Sequence, residues 1–128
     1  MLHFCFYTSR ARSAFPGLVD FDILREAWAH NRQAGIGGYL LRSGDSYFQW
    51  LEGPAHPVAT LMDRIAQDGR HSEVRILSDG ALPRREFPNW VMGYHELAAA
   101  DRESLGDPAT GAEAVLRLLR AQAQLRIA

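Results

Sequence analysis

Apolar and polar positions alternate or recur along this chain in ways that predict most of its elements. Leu2–Ser9 is rich in aromatic strand formers and predicts a first β-strand. Phe15-Pro16-Gly17 breaks it, and Asp20 is placed to N-cap a helix reaching about Asn31. Phe21, Leu24, Ala27 and Trp28 fall at helical spacing and form its expected buried stripe. Gly35–Gly38 ends that helix. Tyr39–Arg42 and Tyr47–Glu52 then predict two strands joined by a hairpin at Ser43-Gly44-Asp45-Ser46. Gly53-Pro54 opens a second helix over about Pro57–Asp68, with Val58, Leu61, Met62 and Ile65 as its inner stripe. Glu73–Leu77 and Asn89–Glu96 predict a fourth and a fifth strand. After Asp107-Pro108, Ala112–Arg126 is an amphipathic helix.

The order strand–helix–strand–strand–helix–strand predicts an α+β protein. It is a ferredoxin-like βαββαβ sandwich with strands one and three at the sheet centre, a fifth strand and a C-terminal helical extension. Side chains alternate across a strand. Cys5, Tyr7 and Ser9 therefore share one face of the first strand, and Tyr47, Gln49 and Leu51 share one face of the third. The simplest pairing packs Phe4, Phe6, Phe48 and Trp50 under the C-terminal helix and brings Tyr7 and Gln49 together beneath the two main helices.

That placement makes three polar residues conspicuous. Gln49 is an amide between Phe48 and Trp50 at the sheet centre, Asn31 continues the inner stripe of the first helix, and Tyr7 puts a phenol on the same side. A buried amide needs partners, because an unpaired group costs about 1–3 kcal/mol. Each of the three alone reads as a satisfied core polar group. Together they suit a planar heterocycle with adjacent carbonyl and N–H groups. Arg64 and Asp68, one turn apart, read first as a surface i,i+4 pair and second as part of such a site.

Composition narrows the chemistry. All fourteen basic residues are arginine, against fifteen acidic ones, for a formal charge of -1 in 128 residues. The near balance points to neither nucleic acid nor an anionic membrane. Without lysine there is no Schiff-base, pyridoxal-phosphate or P-loop chemistry. The single Cys5 excludes internal disulfides and multi-cysteine metal sites. The five histidines lack ligand spacing and read as surface or capping residues, and Arg70-His71 and Arg84-Arg85 as solvated turn charges. No apolar run is long enough to span a bilayer, and no secretory leader opens the chain, so a cytoplasmic protein is expected.

Several segments, in order, resemble the BLUF domains, blue-light sensors that use FAD. They are Tyr7-Thr8-Ser9, His30-Asn31, Ile36-Gly37-Gly38, Phe48-Gln49-Trp50-Leu51-Glu52-Gly53, Arg64-Ile65, Asp68-Gly69-Arg70-His71 and Phe87…Trp90-Val91-Met92. The resemblance covers about residues 1–97, which it implies to be the photosensor, leaving residues 98–128 as a helical extension. It implies that Tyr7 donates an electron and a proton to the excited flavin and that Gln49 is the switching amide. Trp90 and Met92 are then the fifth-strand residues that respond. Asn31 holds the flavin's pyrimidine edge, and His30, Arg64, Ile65, Asp68, Arg70 and His71 line the pocket. It also implies FAD, or FMN, as cofactor, a light-driven switch in place of turnover, and no enzyme activity. The implied output is a second copy of the chain or a downstream protein, with no nucleic acid and no membrane. Gly37 stands where the family usually has Thr, Ala27 where it often has Ser, and Arg42 where an aromatic is common. Two other readings remain at this point. One is a BLUF-like interaction module without photochemistry. The other is an acylphosphatase-like hydrolase using Arg10 or Arg12, though its glycine-containing phosphate cradle is missing.

Overall fold

A computed structural model describes residues 2–12, 18–88, 91–97 and 115–121. Its elements run β1 (Leu2–Ala11), α1 (Leu18–Ala34), β2 (Gly37–Ser43), β3 (Ser46–Pro54), α2 (Ala55–Ala66), β4 (His71–Leu82) and β5 (Gly93–Leu97). Residues 115–121 add a last helical stretch. The five strands form one sheet in the order β4-β1-β3-β2-β5. All neighbours are antiparallel except β2 and β5, which run parallel. This is the expected ferredoxin-like arrangement, with β1 and β3 central and β5 added beside β2.

The two faces of the sheet are distinct. On one, Phe6, Tyr39, Leu41, Phe48, Trp50 and Phe87 pack with Val115, Leu116 and Leu119 of the C-terminal stretch, and Phe4 stacks on Trp50 at 4.4 Å between ring centroids. On the other, Cys5, Tyr7, Leu40, Tyr47 and Leu51 pack beneath Leu24 and Ala27 of α1 and Val58, Leu61, Met62 and Ile65 of α2. Strand parity therefore divides the chain as the sequence pattern implied.

The element ends differ from expectation for local reasons. Asp20 lies inside α1, which starts at Leu18, and so is not its N-cap. The helix continues to Ala34, and Gly35, at φ 73°, supplies the left-handed residue that closes it. Helix α2 starts directly at Ala55 behind Pro54, and Pro57 is accommodated in the first turn, where its missing N–H has no helical partner to lose. Strand β4 runs far beyond Leu77, because β1 is long enough to pair it out to Leu82. Ser78-Asp79-Gly80, which look like a turn in sequence, are carried by that ladder, and Pro83 follows its end. A register shift lies between Phe6 and Tyr7, whose partners are Ser78 and Ile76. The ladder irregularity it marks sits beside Tyr7. At Gly38 a Cβ would lie 1.8 Å from the Trp50 carbonyl oxygen, so β2 can approach β3 only with glycine there. Most of the Ala112–Arg126 helix expectation, and the first residues of the Asn89–Glu96 strand, lie outside the described residues.

Candidate functional site

Between α1, α2 and the sheet lies a cleft of about 350 Å³. Tyr7, Leu40, Tyr47 and Gln49 form its floor, Ile23, Glu26, Ala27, His30 and Asn31 one wall, and Leu61, Arg64 and Ile65 the other. Asp68, Arg70 and His71 close the α2 end. The size and the mostly apolar lining with a few directed polar groups are those of a small-molecule site.

The floor is built by register. Tyr7 and Gln49 are direct cross-strand partners on adjacent central strands, so both side chains rise on the same face. The Tyr7 hydroxyl donates to Gln49 Oε1. Gln49 Nε2 in turn donates to Met92 Sδ at 3.3 Å. Phenol, amide and thioether thus form one chain, and its last acceptor is a weak one. Burial pushes the Tyr7 phenol well above its ordinary pKa, and Cys5, Asp68 and Tyr47 act in the same direction. Tyr7 therefore stays a protonated donor, and it can lose an electron readily only if its proton leaves as well. Burial also pushes the Cys5 thiol up to about 11, helped by Asp79.

On the wall, Asn31 is only 2% exposed, and its Oδ1 has no hydrogen-bond partner among the described residues. Such an orphaned acceptor costs about 1–3 kcal/mol unless a ligand supplies a donor. Arg64 Nη1 donates to His30 Nε2 at 2.9 Å across the mouth between the helices. The Arg70 guanidinium donates to both Asp68 oxygens and to Glu26 Oε2 at 2.8 Å. That bonding holds the Asp68 carboxyl below its usual range and raises the Arg70 pKa further.

His71 is wedged under Tyr7 and Tyr47, with both rings edge-on to it at 6.3 Å. Its Nε2 lies 2.7 Å from the Ile65 carbonyl and so carries the proton it donates there, leaving Nδ1 to accept from Ser9 Oγ at 2.7 Å. Both ring nitrogens are spoken for. His71 braces the cleft by its ring.

The structure thus gathers Tyr7, His30, Asn31, Gln49, Arg64, Ile65, Asp68, Arg70 and His71 around one cleft. Met92 stands behind Gln49, just ahead of β5 and not within it. Trp90 lies outside the described residues. Some surface readings need correction. Arg64 and Asp68 do not pair with each other, since each has a nearer partner in His30 and Arg70. Arg70 and His71 are bonded into the cleft end. Arg85 is likewise no solvated turn charge, because its Nη2 donates to the Gly35 carbonyl at 2.7 Å. Trp28 is 52% exposed, not part of the inner stripe. The wall of α1 is instead formed by Ile23, Glu26, Ala27, His30 and Asn31, a helical face rotated from the expected one. Glu26 and Tyr47 join the lining beyond the sequence expectation, although Glu26 shares the Ile23–Asn31 spacing and Tyr47 shares parity with Gln49.

A phenol and two amides, one of them with an orphaned acceptor, in an apolar cleft can bind and read a planar ring with an N–H flanked by carbonyls. Comparison with known proteins agrees. The model of the BLUF family, sensors of blue light using FAD, matches residues 2–93. The chain is 33% identical over 105 residues to the blue light- and temperature-regulated antirepressor BluF of Escherichia coli K12, covering 82% of this chain and 26% of that protein. It is 36% identical over 87 residues to the photoactivated adenylate cyclase subunit beta of Euglena gracilis, covering 67% of this chain and 10% of that one. It therefore spans a small part of these curated relatives. The dark-state structure of the BLUF protein BlrB superposes with a TM-score of 0.80 at 30% identity, covering 96% of each chain. The residues present fit a flavin. The unpartnered Asn31 oxygen meets the ring's N–H requirement, and Ala27, Leu40 and Ile65 offer apolar surface to its plane.

Proposed function

The chain belongs to the BLUF family of blue-light sensors using FAD, and on that premise we propose that it is a photoreceptor whose switch is the Tyr7–Gln49–Met92 chain. When bound, the flavin supplies blue-light absorption and an acceptor for the electron and proton of a nearby phenol. Asn31 binds the N–H and carbonyl edge of the ring, and Arg64 with His30, together with Asp68 and Arg70, borders the cleft mouth. Because these contacts address the ring, FMN fits as well as FAD.

Tyr7 gives up its electron together with its hydroxyl proton, which Gln49 Oε1 is positioned to accept. Their return leaves Tyr7 as it began, so nothing is consumed. What persists is the amide. In the structure Gln49 turns its oxygen to Tyr7 and its NH2 to Met92. The rearranged amide presents a different donor and acceptor order to Tyr7, to Met92 and to the ring. Met92 can accept but has no proton to donate, so it favours only one of the two orders. With flavin bound, the rearranged Gln49 amide would offer the ring carbonyl a stronger hydrogen bond, which would shift absorption to the red until thermal return.

The observation that carries this reading is the Tyr7–Gln49 hydrogen bond on the floor of a cleft walled by the partnerless Asn31 oxygen. The sensor is not itself an enzyme. Its output is binding, to a second copy or to a downstream protein, through residues 98–128 or the β5 side. The free, buried Cys5 suits a reducing compartment, and we place the protein in the cytoplasm. The test is the absorption spectrum of the purified protein. It is yellow, and blue light produces a small red shift that reverses in the dark. A colourless protein that ignores added FAD and FMN overturns the photosensor in favour of a pure interaction module.

A further inference from the structure

Met92 is held at both ends of its residue. Its sulfur accepts from Gln49 Nε2 at 3.3 Å, and its main-chain carbonyl accepts from the Trp28 indole Nε1 at 3.0 Å. Trp28 lies on α1, away from the cleft wall, and stays 52% exposed. A tryptophan kept for core packing would be hidden. Here the ring remains half in solvent and its one polar atom is directed at the residue behind the switch.

The segment around Met92 is also confined on its other side. A Cβ at Gly93 would lie 2.2 Å from Tyr39 Cε2, so the β5 backbone already abuts the Tyr39 ring and cannot shift towards the aromatic face, away from α1. Any adjustment of Met92 to a changed Gln49 amide must therefore be taken up on the Trp28 side.

We propose that Trp28 is a positioning residue for the switch. It ties the Met92 carbonyl to α1, so that rearrangement of Gln49 alters the Trp28–Met92 hydrogen bond, and that bond in turn sets how long the rearranged state lasts. Coupling of this kind is reciprocal. A bond that responds to the state of Gln49 must favour one state, and its removal must change the relaxation between them. The half-exposed indole then makes the state of Gln49 legible on the outer surface of α1. The proposal rests on the photosensor reading above.

The test compares flavin-loaded wild type with Trp28→Phe by two measurements, the dark-recovery rate and the light-minus-dark infrared spectrum with methionine isotope-labelled at its carbonyl carbon. Met1 and Met62 contribute equally to both proteins. Wild type should show a light-dependent labelled carbonyl band that Trp28→Phe loses. Recovery in the variant should change by about fivefold or more, the low end of ordinary coupling between sites. A red shift in wild type with no light-dependent labelled band overturns the proposal and leaves the photosensor intact. So does a Trp28→Phe protein that keeps both the band and the wild-type recovery rate. Should the variant fail to hold flavin, the wild-type band decides alone. Absence of any red shift in wild type removes the photosensor reading itself.

Discussion

Strand β3 buries two polar side chains three positions apart, on opposite faces of the sheet, and they are held very differently. Gln49 faces the cleft, with a phenol on one side and a thioether on the other. Glu52 faces the aromatic core, is 0% exposed, and accepts from Trp50 Nε1 at 2.8 Å and from the main-chain N–H groups of Glu86 and Phe87 at 2.9 and 3.0 Å. Every Glu52 partner can only donate, and two belong to the backbone, so its arrangement has no alternative. Gln49 is an amide whose ends can exchange roles, its tyrosine partner can donate or accept, and its methionine partner binds weakly. Burial makes a polar group costly in both places, and the identity of the partners decides whether it becomes a clamp or a switch.

This contrast can be broken first at the clamp. Glu52→Ala strands two main-chain donors and the Trp50 indole, and should cost about 3 kcal/mol or more in urea unfolding. A loss below about 1 kcal/mol would show that water replaces the carboxylate freely and that the clamp is no clamp. At the switch, Tyr7→Phe should cost less, about 1–3 kcal/mol for the unpaired Gln49 oxygen, while the bound flavin keeps its colour and loses the reversible shift entirely. A wild-type photocycle in that variant would place the donor elsewhere.

Asn31→Ala, which removes the orphaned acceptor without touching Tyr7 or Gln49, should weaken flavin binding roughly tenfold, equivalent to about 1.4 kcal/mol. Titration of apoprotein with FAD measures it, and unchanged affinity would take Asn31 out of the binding set. The smallest effect concerns pH. Hydrogen bonds from Arg70 depress the folded pKa of Asp68, so this carboxylate stabilises the fold above its ordinary unfolded value, near 3.9. That contribution is lost as pH falls through the lower, folded value. Asp68→Asn should therefore flatten part of the acid limb in a plot of urea midpoint against pH, matching wild type at the acid end and falling slightly below it at neutral pH.

Much of this contrast was legible before any coordinates. The alternation Phe48-Gln49-Trp50-Leu51-Glu52 assigns Gln49 and Glu52 to opposite faces, and β1–β3 pairing then brings Tyr7 to Gln49, because the period of a strand is fixed at two residues. Helix faces are less legible. The inner face of α1 is rotated so that Ile23 and His30 line the cleft while Trp28 is left outside, since a helix can turn about its axis without changing its hydrophobic spacing. The partners of Glu52 could not be foreseen. They are main-chain groups at Glu86 and Phe87, delivered by a loop whose path no periodicity encodes. The bonding of His71 and Arg85 is likewise hidden from the sequence, because their acceptors are the main-chain carbonyls of Ile65 and Gly35.

The central claim is that Gln49, and not the neighbouring buried polar group, is the part that moves. It is tested most directly by the light-minus-dark absorption difference of flavin-loaded Gln49→Leu, measured beside Glu52→Gln, which keeps an acceptor at the clamp. The reversible red shift should vanish in Gln49→Leu and persist in Glu52→Gln. A reversible red shift in Gln49→Leu would contradict the account.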